Sequence, residues 1–135
     1  MFETNVFGAL EVVRQFAPVL ARNGGGALVD VMSIRSWSTA PQGAAYAATK
    51  AALWSLTNAF RSELRDQQTL VVGVHVGMLD TEPQAGVDGP KLDPADLARQ
   101  VLDAVEADAE EVLGDQGTRD AKALLTGPPA ALAPR

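Results

Sequence analysis

The chain has 135 residues, 17 acidic and 11 basic, for a formal charge of −6, and 47% of them are hydrophobic. That is enough apolar material for one core burying roughly two-thirds of the unfolded surface, which excludes wholesale disorder. The acidic balance, with no basic cluster, excludes a nucleic-acid partner held by phosphate contacts, and the absence of cysteine excludes disulfides and thiolate sites.

From Phe2 to about Ala21, Val6, Leu10, Val13, Ala17 and Leu20 recur at steps of three and four, which predicts a helix with one buried face. Gly24, Gly25 and Gly26 stop it. Ala27 to Met32 reads ALVDVM, a run that suits a strand buried on both faces of a parallel sheet, and the polar stretch Ser33 to Gln42 follows as a loop. Ala44 to about Asp66 is rich in alanine, lacks Gly and Pro, and carries Leu53, Leu56, Phe60 and Leu64 at helical spacing. Leu70 to Val76 reads as a second strand, with a new loop opening at Gly77. Asp93 as N-cap, Pro94 in the first position and Asp96 in the first turn predict a helix running to about Ala109. Glu111 to Gly114 is a third strand, and a short helix is expected over Arg119 to Leu125.

The order helix, strand, helix, strand, helix, strand predicts an α/β fold: a short, mostly parallel sheet of about three strands with covering helices. Residues 1–126 form one such domain, and 127–135, with three prolines, a flexible tail. Apolar stretches are short or interrupted by charge, and Met1 to Arg14 has no signal-like apolar core, so a soluble cytoplasmic protein without membrane contact is expected.

Chemistry concentrates at Tyr46-Ala-Ala-Thr-Lys50, with Ser33 thirteen residues before the tyrosine. Positions i and i+4 share a helix face, so the phenol and the ammonium can approach. An adjacent cation stabilises a phenolate, the electrostatic condition for a tyrosine to act as general acid. Ser33, at the mouth of the first strand, would donate to the same carbonyl oxygen. Spacing alone also admits a half-buried aromatic beside a solvated charge. His75, the sole histidine, reads as a packed strand residue, and no metal site is expected. The acidic run from Asp103 to Glu111 reads as a solvated face. Trp37 and Trp54 fit a substrate cleft, core packing or an oligomer contact equally.

Four strings stand in one order: NVFGAL at Asn5 to Leu10, GGGALVDVMS ending in Ser33, AAYAATKAAL from Ala44, and VHVGMLDT from Val74 to Thr81. This arrangement resembles the C-terminal half of the short-chain dehydrogenase/reductase family. The resemblance implies a truncated Rossmann-like half and an NAD(P)-dependent oxidoreductase lineage acting on a carbonyl or alcohol. It makes Asn5 the residue holding a water of the proton relay, Ser33 the carbonyl orienter and Tyr46 the acid/base. Lys50 becomes the electrostatic tuner that also binds the nicotinamide ribose. Tyr46, Lys50, Gly77 and Thr81 then form the cofactor-facing set.

Two departures accompany it. Val76-Gly77 stands where the family has Pro-Gly, which predicts a differently shaped or less rigid loop. The family's opening strand with its glycine-rich phosphate turn and its Asn-Asn-Ala-Gly motif have no counterpart, and Gly24 to Gly26 end a helix instead of opening one. The expectation is therefore NAD or NADP by lineage, not bound by this chain alone, with weak activity or none. The strand ending at Ser33 would be an open edge. In the family, the helices bearing Asn5 and Tyr46 pack against a partner subunit, so a homo-oligomer, dimer or tetramer, is expected. The alternative is a structural or regulatory oligomerisation protein pairing with itself or with a full-length relative.

Overall fold

The structure, a computed structural model, describes residues 1–132. A π-helical turn over Glu3–Gly8 runs without break into α1 (Ala9–Arg22). Then follow β1 (Gly26–Val31), α2 (Ala44–Glu63), β2 (Thr69–His75), α3 (Pro94–Glu106), β3 (Glu111–Leu113) and α4 (Gln116–Ala123). The three strands are parallel, in the order β1-β2-β3. This is part of a Rossmann-like α/β fold: the alternation of elements predicts the parallel α/β sheet, and the resemblance implies the Rossmann-like half.

Strand alternation decides the layers. Val71 faces α1 and α2, packing with Val13, Ala17, Phe60 and Leu64, while Val72, Val74 and Val76 face the other way onto Leu97, Ala104 and Val112. Each fully buried valine contributes about 1.5–3 kcal/mol of hydrophobic stabilisation. The α1–β1 connection is a glycine turn at the amino ends of the strands. Gly25 has φ 110°, and a Cβ there would sit 2.3 Å from the Gln68 carbonyl oxygen, so only glycine fits.

β1 corrects one expectation: it is not buried on both faces. Val29 and Val31 remain 37% and 51% exposed, because α3 lies over β2 and β3 and stops short of them. Among the described residues β1 is also an edge strand. Several boundaries differ as well, α2 ending at Glu63 instead of about Asp66. α3 ends at Glu106, three residues early, and α4 starts at Gln116 instead of Arg119, because Asp115 caps it by accepting from the Thr118 N–H. Asp93 caps α3 as expected, accepting from Ala95 N–H at 2.8 Å. Pro129–Leu132 makes a 3-10 turn within the expected tail, whose last three residues lie outside the described ones. No described helix is long and apolar enough to cross a membrane.

Candidate active site

The carboxyl ends of β1 and β2 release the two loops that build a cleft, the position where open parallel sheets bind ligands. Ser33 leaves β1 in extended conformation, and its Oγ accepts from Arg35 N–H at 3.1 Å, capping the 3-10 turn Ile34–Ser36. That contact occupies an Oγ lone pair and leaves the hydroxyl proton to donate elsewhere. One helical turn separates Tyr46 from Lys50 on α2. The Lys50 Nζ lies 5.8 Å from the Tyr46 ring centre and donates to the Val31 carbonyl at 3.0 Å. Ser33, Tyr46, Lys50, Gly77 and Thr81 together line a cleft of about 220 Å³, with Tyr46 38% exposed.

Asn5 does not line this cleft. It sits in the π-helical turn, and its Nδ2 donates to Thr49 Oγ1 at 3.1 Å, while Thr49 Oγ1 donates to the Tyr46 carbonyl at 2.7 Å. Asn5 thereby ties the first helix to the backbone of the turn that carries Tyr46. Thr49, wholly buried, is a link that the sequence reading missed.

Val76 in place of proline does not leave the Gly77 loop untethered. The Gly77 N–H donates to Asp115 Oδ2 at 2.6 Å, and the other oxygen of Asp115 accepts from the N–H and hydroxyl of Thr118. A carboxylate thus clamps the loop to the start of α4. Backbone pairing adds a second tie: Leu92 N–H donates to Met78 O and Asp80 N–H to Leu92 O, both at 2.9 Å. Beside the cleft, and sharing Gly77 and Met78 with it, is a largely apolar cavity of about 340 Å³ lined also by Ile34, Pro90 and Leu92.

The electrostatics centre on Lys50 and Asp30. Burial pulls Lys50 below the ordinary lysine range and the Asp30 charge opposes it. Burial pushes Asp30 up, opposed by its hydrogen bond from Thr57 and by the charges of Arg61 and Lys50. His75 is fully buried, with its ring stacked on Trp37 at 3.9 Å between centres and its Nδ1 3.4 Å from the Ser33 carbonyl oxygen. Trp37 in turn meets Trp54 edge to face, so Trp37 packs beneath the Ser33 loop and lines neither cavity.

The cleft suits the nicotinamide end of a dinucleotide: a phenol, an ammonium, a serine hydroxyl and Thr81 around one concavity. Nothing among the described residues suits the pyrophosphate. The glycine cluster lies at the amino ends of the strands, on the opposite edge of the sheet from the cleft.

The family model described as short chain dehydrogenase matches residues 1–90. An uncharacterized oxidoreductase of Staphylococcus aureus strain MW2 is 32% identical over 108 residues, covering 78% of this chain and 47% of that protein. A short chain dehydrogenase from Burkholderia cenocepacia, solved in complex with NADP, superposes with a TM-score of 0.87 at 34% identity, covering 93% of this chain and 54% of that one. A Sphingobium yanoikuyae short-chain dehydrogenase, solved with NADPH, shares the fold at a TM-score of 0.77, 21% identity and coverages of 94% and 52%. The chain thus spans about half the length of the relatives it matches. With the family model covering two-thirds of its residues and a close structural match at 34% identity, the chain belongs to the short chain dehydrogenase family of oxidoreductases.

Proposed function

We propose that these residues form the proton-transfer half of an NAD(P)-dependent oxidoreductase site acting on a carbonyl or alcohol. The observation that carries this reading is the convergence of Ser33, Tyr46, Lys50, Gly77 and Thr81 on one cleft at the carboxyl ends of β1 and β2. In the reducing direction Tyr46 donates its hydroxyl proton to the carbonyl oxygen as charge builds there, and Ser33 donates a hydrogen bond to the same atom. In the oxidising direction Tyr46 takes the alcohol proton. Lys50 stands one helical turn from Tyr46 as its electrostatic partner, and Asn5, through Thr49, fixes the turn that carries Tyr46. A bound nicotinamide supplies or accepts the hydride, and Tyr46, Lys50, Gly77 and Thr81 would hold that end of it. The adjoining cavity suits a small, mainly apolar carbonyl compound.

Because no described residues suit the pyrophosphate, the 135-residue chain alone is weakly active or inactive. Isothermal calorimetry with NAD(H) and NADP(H) is the test, and no saturation at micromolar concentrations is expected. Saturable micromolar binding would overturn the inactive reading. Any carbonyl reduction detected, in this chain or in an assembly containing it, should fall about 100-fold or more in Tyr46→Phe; retained turnover would sink the assignment of Tyr46.

A structural reading has its own support in the exposed apolar residues Phe2, Phe7, Val12 and Phe16 of the first helix. It favours a homo-oligomer, dimer or tetramer, through the helices bearing Asn5 and Tyr46, or pairing of the same face with a full-length relative.

A further inference from the structure

An aspartate in the middle of the apolar run ALVDVM needs a physical reason. Asp30 is 8% exposed, and an ionised carboxylate is withdrawn from water only where partners compensate it. Its side chain lies on the α2 side of the sheet, because its register partner on β2 is Gly73, between Val72 and Val74 of the opposite face. Gly73 matters here for its bareness. A Cβ at that position would come within 2.7 Å of Arg61 Nη2 and 2.8 Å of Met32 Cε, so the missing side chain makes room for polar groups beneath α2.

Above that space α2 presents Lys50, Thr57 and Arg61, at steps of seven and four on one helix face. Thr57 Oγ1 lies 2.7 Å from Asp30 Oδ2 and 2.8 Å from the Leu53 carbonyl oxygen, and its proton donates to one or the other. The Arg61 guanidinium is committed elsewhere: Nε donates to Val71 O at 3.2 Å, one terminal nitrogen to Glu110 O at 2.6 Å, and the other to Asn58. Lys50 is the remaining cation, and its one protein hydrogen bond goes to Val31, the residue next to Asp30. Two further ionisable groups share this face of the sheet: His75, two residues on from Gly73 along β2, and Glu111, the register partner of Gly73 on β3, which is paired with Lys122. The inward residues of the first helix and α1 are the apolar Val6, Val13 and Ala17.

We propose that Asp30 is a positioning residue for the proton-transfer site, its buried carboxylate being the counter-charge that keeps Lys50 charged and seated on the Val31 carbonyl beside Tyr46. Asp30 touches no reacting atom and acts only through Lys50. Burial works against the Lys50 ammonium and Asp30 offsets it. Thr57 lies within hydrogen-bond reach of that carboxylate. The inference rests on the reading of Lys50 as the partner of Tyr46, and its test reads the lysine's ionisation directly.

The chain has three lysines, Lys50, Lys91 and Lys122, so the side-chain Cε signal of Lys50 can be assigned and titrated by NMR in the full chain. In Asp30→Asn the Lys50 midpoint should fall by about half a pH unit or more, while those of Lys91 and Lys122 stay in place. An unmoved Lys50 midpoint overturns the proposal and means that Asp30 is neutral, held as a hydrogen-bond donor to Thr57. If Asp30→Asn does not fold, the wild-type chain decides. The Lys50 signal should carry a second, acidic inflection at the midpoint of the Asp30 carboxyl carbon, and its absence overturns the proposal. Failure to bind a nicotinamide cofactor or to turn over a carbonyl would count against the proposed function and leave this result standing.

Discussion

His75 illustrates how one buried residue sets a pH dependence. Burial pulls it from 6.5 to about 4, against the smaller upward pulls of the Ser33 carbonyl and Glu111. The unfolded chain takes up a proton between those values that the folded chain refuses, so stability falls as pH drops through that window, by up to about 3 kcal/mol. Asp30 works in the opposite sense: its raised value means the folded chain binds that proton first, adding stability as pH falls. Urea unfolding of wild type and His75→Leu at about pH 7 and about pH 4.5 separates the two, and the variant should lose most of the acid sensitivity due to His75. An equal loss of stability in both proteins on acidification would refute this account. Tyr46 and Lys50 were legible in the sequence because their relation, four steps on one helix, is local. The roles of Thr57 and Thr49 were not, since their partners Asp30 and Asn5 lie 27 and 44 residues away.

Among the elements, the Gly77 loop and α4 depend on one side chain. Asp115 accepts from Gly77 N–H, from Thr118 N–H and from the Thr118 hydroxyl, and Thr118 is fully buried. Asp115→Ala removes the α4 cap and the loop clamp together and should cost about 1–3 kcal/mol in denaturant unfolding. Amide exchange should rise at Gly77 as well as in the first turn of α4; if only α4 loosens, the clamp has no role in the loop. The start of α4 was placed at Arg119, three residues late, although an Asp such as Asp115 just before a helix is a local N-cap signal. The exposure of Val29 and Val31 has no such signal. A buried parallel strand and this half-covered one have the same apolar composition, and the difference lies in where α3 ends its cover.

Among the described residues the open surfaces include the β1 edge and the exposed apolar residues of the first helix. Phe2, Phe7, Val12 and Phe16 each expose close to half or more of their surface on one helix, and exposed apolar surface of this kind is where a partner would bury area. If the first helix joins protomers, sedimentation at micromolar concentration should give a dimer or tetramer, and Phe16→Glu should shift the population to monomer with its helical circular dichroism kept. A folded wild-type monomer would refute self-association.

By itself the sequence determined the α/β alternation, the approximate elements and the Tyr46–Lys50 pair, because these follow from periodicities of 2 and 3.6 within single elements and from motifs in one order. Only the tertiary structure decided that Ser33, Gly77 and Thr81 meet that pair in one cleft, and that Asp115 takes over the restraint a proline would give. It also decided that Asp30 faces Thr57 beneath α2. Each of these is a contact between elements, and sheet register and helix placement set which residues face each other across such a gap.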